Sequence, residues 1–105
     1  MSVPREIQDH MIELQELCNR CNVRSLYLFG SAAKGEMKPT SDYDFLVDIP
    51  LVRENYEEYA NSYFEIADSL ERMLKRKVDL LTLPMLTNPY FIQSVENSKV
   101  KIYGS

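Results

Sequence analysis

The chain has 105 residues, 12 Lys and Arg against 16 Asp and Glu, a formal charge of −4, one His, two Cys and no Trp. That length sets one domain over residues 1–105 with a modest core, and Leu, Ile, Val and Phe, 29 residues in all, are too many for a disordered chain. The acidic balance argues against a phosphate-gripping surface, so no direct DNA binding is expected, and no apolar run approaches the ~20 residues needed to cross a bilayer.

Residues 1–10 include Pro4, Arg5, Glu6 and Asp9, so no secretory leader is expected and the chain reads as cytoplasmic, with no membrane association. Residues 3–21 read as one amphipathic helix, with Ile7, Met11, Leu14, Cys18 and Cys21 at three- and four-residue steps. Cys18 and Cys21 form a C-x-x-C. Zinc would need two further ligands where only His10 is available, and a redox pair normally sits at a helix N-terminus rather than near its end. The two are read as small apolar residues on a helical face, and His10 as a surface residue.

Arg24 to Phe29 reads as a strand that stops at Gly30, and residues 31–41 as a loop with one helical turn. Tyr43, Phe45, Val47 and Ile49 alternate with Asp42, Asp44, Leu46 and Asp48, a period of two that marks a second strand ended by Pro50. A helix from Asn55 to Arg76 follows, its stripe formed by Tyr56, Tyr59, Ala60, Tyr63, Ala67, Leu70 and Leu74, with Lys75-Arg76-Lys77 suiting the negative end of its dipole. The tyrosines of that stripe are read as core or interface packing. Val78 to Leu83 is a third strand, residues 90–96 a short helix, and Lys99 to Tyr103 a last strand. The class is therefore α/β or α+β with a small mixed sheet flanked by helices.

Asp42 and Asp44, two apart on a strand, project to one face about 7 Å apart. Two carboxylates so placed repel unless a cation lies between them; the alternative is a capping Asp beside a solvated one. Asp79 shifts the balance. It interrupts an apolar strand joined to the Asp44 strand by one long helix, the crossover of two parallel neighbours. Parallel pairing brings Asp44 and Asp79 to the same sheet end, where three carboxylates suit two Mg²⁺ ions about 4 Å apart and in-line phosphoryl-type displacement. Gly30 and Ser31 fall at that same end if the first two strands are antiparallel. Gly30 allows close backbone approach, Ser31 offers a hydroxyl and an N–H, and Lys34 a point charge. Residues 30–35 read G-x-x-x-x-G, but Glu36 and Met37 replace the Lys and Ser/Thr of a P-loop, and no G-x-G-x-x-G exists.

Gly30-Ser31, ten residues, then Asp42-Tyr43-Asp44 resembles the G-S-x10-D-x-D signature of the polymerase-β-like nucleotidyltransferases. The context, Leu28-Phe29-Gly30-Ser31-Ala32-Ala33-Lys34-Gly35-Glu36 with Ser41-Asp42-Tyr43-Asp44-Phe45-Leu46-Val47 and Lys77-Val78-Asp79-Leu80-Leu81, is similar to the minimal nucleotidyltransferases (MNT, MntA-like) over roughly residues 20–103. Lys34 departs from the Arg common there, so a bidentate phosphate grip is lost while charge is kept. The resemblance implies that fold and transfer of AMP from ATP to a hydroxyl, with Asp42, Asp44 and Asp79 as metal and catalytic residues. It implies Gly30, Ser31, Lys34 and Ser41 around the nucleotide. It further implies a HEPN-domain toxin partner neutralised by adenylylation of a tyrosine, the acceptor surface coming from another polypeptide or from a second copy in a homo-oligomer. The rival readings are a binding-only antitoxin of the same fold and an enzyme acting on a small molecule such as an aminoglycoside. Retention of all three carboxylates and of Gly-Ser favours the active enzyme.

Overall fold

The computed structural model describes residues 3–104. The N-terminal apolar pattern folds as two helices, α1 (Arg5–Asp9) and α2 (Met11–Arg20), rather than the single one expected. The break is His10, at φ −109° and ψ 13°, whose N–H takes the carbonyl of Ile7, three residues back, so the α-helical ladder is interrupted there. Its ring sits 3.1 Å from the Glu13 carboxylate. Ile7, Leu14, Leu17 and Cys18 are still buried on one side. At the end of α2, Asn22 turns left-handed and Val23 donates its N–H to the Cys18 carbonyl, a closure that satisfies the last turn.

Strand β1 (Ser25–Phe29) follows, and runs directly into α3 (Gly30–Lys34), the short helical turn that opens the loop leading to the second strand. Next come β2 (Tyr43–Asp48), the long α4 (Tyr56–Leu74), β3 (Val78–Thr82) with a 3-10 turn over Leu83–Met85, α5 (Pro89–Ser98) and β4 (Val100–Gly104). Asp42 lies just ahead of β2 rather than within it. The helix starts are written in the sequence. Asn55 accepts a hydrogen bond from the Glu58 N–H and donates back to its carboxylate, and Asn88 accepts from the N–H groups of Tyr90 and Phe91 after Pro89 opens α5. Lys75, in the left-handed region, ends α4.

The four strands order as β3-β2-β1-β4, with β1 antiparallel to β2 and β4, and β2 parallel to β3 through the α4 crossover. The period-two pattern then sorts the side chains by face. Leu26, Leu28, Tyr43, Phe45, Val47 and Leu80 point toward α1, α2 and α4 and form the main core with Ile66, Leu70 and Leu74. The opposite face carries a smaller cluster of Phe29, Leu46 and Val95, flanked by Tyr27, Leu81 and Leu86 beneath α5. The helix α4 buries Ile66 and Ser69 with Leu70 and Leu74, whereas Tyr56 of the expected stripe is 64% exposed. Only its C-terminal half lies deep enough against the sheet to bury the pattern.

Among the described residues no helix is long and apolar enough to cross a membrane. Cys18 and Cys21 are free and buried, and burial is the main cause that raises their thiols to about 12 and about 11, the reverse of what a metal or redox role requires.

Candidate active site

Parallel pairing of β2 with β3 sets Asp44 directly opposite Asp79, and antiparallel pairing with β1 sets Asp44 opposite Phe29, the residue before Gly30. Residues in register on neighbouring strands project to the same face, so Asp44 and Asp79 stand side by side on the face of the smaller apolar cluster. Three segments far apart in sequence therefore meet at one sheet end. This juxtaposition follows from the α4 crossover and from the antiparallel return between β1 and β2.

Gly30 has φ +74°, and a Cβ built there would run into the Asp44 carboxylate, with Oδ2 in overlap and Cγ at 3.3 Å. Gly30, expected to allow close approach of a ligand to the backbone, also leaves by its missing side chain the space that the Asp44 carboxylate occupies. The Gly30 N–H faces the Ser98 hydroxyl at 3.4 Å, and that buried hydroxyl donates to the Ser94 carbonyl at 3.0 Å. Helix α5 is thus tied to the start of α3, a contact with no signal in local sequence.

The electrostatics agree with the geometry. The Asp44 carboxyl is pushed up from 3.8 to about 6, first by burial, then by the charges of Asp79 and Asp42. Among the described residues no hydrogen bond or cation offsets that cost at Asp44. Asp42 and Asp79 are exposed, with only Asp44 half-buried between them. Tyr63, on α4, donates to the Leu80 carbonyl at 2.7 Å, and burial and the Asp79 charge both raise its phenol.

The remaining candidates divide. Ser31 is half-buried on α3, and Lys34 closes that helix with an exposed side chain and no ion pair among the described residues. Ser41 is half-buried, and its hydroxyl accepts the Lys38 N–H at 3.0 Å, closing the loop ahead of Asp42. The structure thus gathers Gly30, Asp42, Asp44 and Asp79, while Ser31, Lys34 and Ser41 border them along the chain. Arg76 and Ser98 also reach this end of the sheet. Arg76 is legible in the sequence only as one of three basic residues closing α4.

Among the described residues no three His, Cys, Asp or Glu side chains form a metal-holding cluster unaided, so the carboxylates are an open set rather than a closed cage. The donors fit a hard divalent cation nonetheless: they are all oxygens and anionic, and Asp44 is short of positive charge. Mg²⁺ typically takes one or two protein carboxylates and completes its shell with water and substrate phosphates. An open acidic rim suits that coordination.

The sequence profile of the nucleotidyltransferase domain family matches residues 11–102. A Methanocaldococcus jannaschii chain named "Putative protein adenylyltransferase MJ1379" is 36% identical over 86 residues, 82% of this chain and 83% of its own length. A chain in a crystal structure of a toxin-antitoxin with AMP-PNP superposes with a TM-score of 0.66 at 24% identity, over 90% of this chain and 73% of that one. A chain in the structure of a tri-AMPylated Shewanella oneidensis HEPN toxin in complex with MNT antitoxin gives 0.61 at 22% identity, over 93% and 72%. At such identities the structural likeness carries the fold.

Proposed function

Because the chain belongs to the nucleotidyltransferase domain family, we propose that it transfers AMP from ATP to a hydroxyl, a tyrosine of a HEPN-type partner, and thereby acts as an antitoxin. It is a nucleotidyltransferase. The adenylyl donor and the toxin partner are extended to this chain from the proteins it resembles, and the reading treats residues 1–105 as one catalytic domain. The observation that carries it is the register of Asp44 with Asp79 against the side-chain-free corner at Gly30, with Asp42 within charge range of Asp44.

In this reading Asp42, Asp44 and Asp79 hold two Mg²⁺ together with the triphosphate, and Gly30, Ser31, Lys34 and Ser41 border the phosphates. Bound Mg²⁺ supplies charge neutralisation at the phosphates and at the attacking oxygen. The acceptor hydroxyl attacks the α-phosphorus, the bond from that phosphorus to the bridging oxygen breaks, and pyrophosphate leaves. Asp79, exposed at the rim where an acceptor arrives, takes the hydroxyl proton, while Asp44, half-buried, stays behind it. The surface that delivers the hydroxyl comes from the partner, or from a second copy of the chain.

The test incubates the chain with Mg²⁺, ATP labelled at the α-phosphate, and a candidate HEPN-domain toxin from the same genome. Label is expected on that protein, and Asp44→Asn is expected to abolish it. Neutralisation of the toxin without any transfer of label would overturn the enzymatic reading in favour of binding alone.

A further inference from the structure

Arg76 stands between α4 and β3 and has no carboxylate partner among the described residues. Its guanidinium turns instead toward the loop that precedes β2. Nη1 donates toward three carbonyls of that loop, Lys38 at 3.2 Å, Pro39 at 3.1 Å and Ser41 at 3.1 Å. The same guanidinium lies over the Tyr43 ring, Cζ 5.5 Å from its centre. Beside it, the Tyr43 N–H donates to the Lys77 carbonyl at 3.1 Å, and the Tyr43 hydroxyl to Glu6 of α1 at 3.1 Å. The loop also closes on itself, through Ser41 N–H to the Lys38 carbonyl and Lys38 N–H to the Ser41 hydroxyl.

These contacts bracket Asp42, which has Ser41 on one side and Tyr43 on the other and lies outside the ladder that fixes Asp44 and Asp79. Strand pairing sets the distance between those two carboxylates; Asp42 has no ladder partner of its own and is held by the sheet only through Tyr43 on its C-terminal side. An exposed loop left to itself explores many positions, and its ordering would have to be supplied at each binding event. The two N–H groups of Nη1 are shared among the three carbonyls, and these charge-assisted bonds are stronger than neutral ones from the same number of donors. Lysine, a point charge on a flexible stem, holds such a set less well.

We propose that Arg76 is a positioning residue that fixes the Ser41–Tyr43 segment and so restrains the Asp42 carboxylate beside Asp44 at the acidic rim, where it is available to a cation brought in with its own water and phosphate ligands. The inference rests on the reading of these three carboxylates as the metal and nucleotide site, and its test separates the two.

The full chain and its Arg76→Met, Arg76→Lys and Asp44→Asn variants are titrated with Mn²⁺ in the presence of a non-hydrolysable ATP analogue. Bound metal is read by electron paramagnetic resonance at a temperature where thermal melts show each variant folded. Arg76→Met is expected to weaken Mn²⁺ about tenfold, the lower end for loss of a residue that orients a metal ligand, with an intermediate loss for Arg76→Lys. A role confined to stability would lower the melting temperature and leave the Mn²⁺ affinity of the folded protein unchanged. Wild-type affinity in Arg76→Met, alongside a large loss in Asp44→Asn, would overturn the positioning role and leave the carboxylate site standing. Wild-type affinity in Asp44→Asn would bring down the site itself. Should Arg76→Met fail to fold, wild-type Mn²⁺ affinity in Arg76→Lys overturns the proposal in its place.

Discussion

Asp44→Asn should make the metal-free protein more stable while removing its activity. Asp44 is half-buried, with the Asp79 and Asp42 charges beside it, and its carboxyl rises from 3.8 to about 6. One pH unit of such a rise corresponds to about 1.4 kcal/mol, so the unscreened cost of an ionised Asp44 at pH 7 is on the order of 3 kcal/mol. Solvent reaching the half-buried group reduces this to about 1–2 kcal/mol. Asparagine keeps the shape and omits the charge, and for a domain of this size the gain raises the melting temperature by roughly 4–15 °C.

The sign follows from proton linkage. Folded Asp44 keeps its proton to about pH 6, whereas the unfolded chain releases it near 3.8. Between those values the folded state binds more protons at this site, so the contribution of Asp44 to wild-type stability is greatest below about pH 4 and falls as pH rises to 6. The variant lacks that slope and matches the wild type at low pH. Calorimetry in EDTA from pH 4 to 8 measures both curves. Adding Mg²⁺ with an ATP analogue should raise the wild-type midpoint and leave that of Asp44→Asn nearly still. A variant that is less stable than the wild type at pH 7 in EDTA, or that keeps the wild-type pH slope, would refute the claim that these carboxylates repel one another in the fold.

Gly30→Ala sets a Cβ against the Asp44 carboxylate at a left-handed φ, and should cost about 1–3 kcal/mol. It should also displace Asp44 and lower transfer activity more than the stability loss explains; a variant that melts and turns over like the wild type would show the contact to be slack. The thiols of Cys18 and Cys21, raised to about 12 and about 11, should be alkylated by iodoacetamide at pH 8 at least ~100-fold more slowly than an unperturbed thiol near 8.5, until denaturant exposes them. Rapid labelling of the folded protein would contradict their burial.

On the proposed function, the carboxylate arrangement gives up stability to keep an acidic rim open for a cation. A charge in an apolar strand is ordinarily selected against, yet here Asp44 and Asp79 are paired in register with no cation or donor between them among the described residues. The cost is a small fraction of what the two apolar clusters supply, since each buried Leu or Phe contributes about 1.5–3 kcal/mol. The core of Leu26, Leu28, Phe45, Ile66 and Leu70 stands on the opposite face of the sheet, so the rim tolerates repulsion that the interior would not.

Local pattern determined much of the architecture. Alternation through Tyr43, Phe45 and Val47 fixed a strand and its faces, Asn55 marked the start of the long helix, and the single helix between the Asp44 and Asp79 strands made those strands parallel neighbours. Convergence of the two carboxylates follows from that alone, because a crossover returns the chain to the same end of the sheet. Other features were decided in three dimensions. The break at His10 lies within an unbroken apolar period, so the break depends on how α1 and α2 each lie against the core. Gly30 is required by Asp44, fourteen residues on, and its N–H is met by Ser98 from the other end of the chain. Arg76 looks like one more basic residue at a helix end until folding lays it over Tyr43 and the Asp42 loop. Periodicity and capping act between residues a few positions apart and can be read along the chain. Burial, carboxylate repulsion and a guanidinium's choice of carbonyls depend on neighbours that only the folded chain brings together.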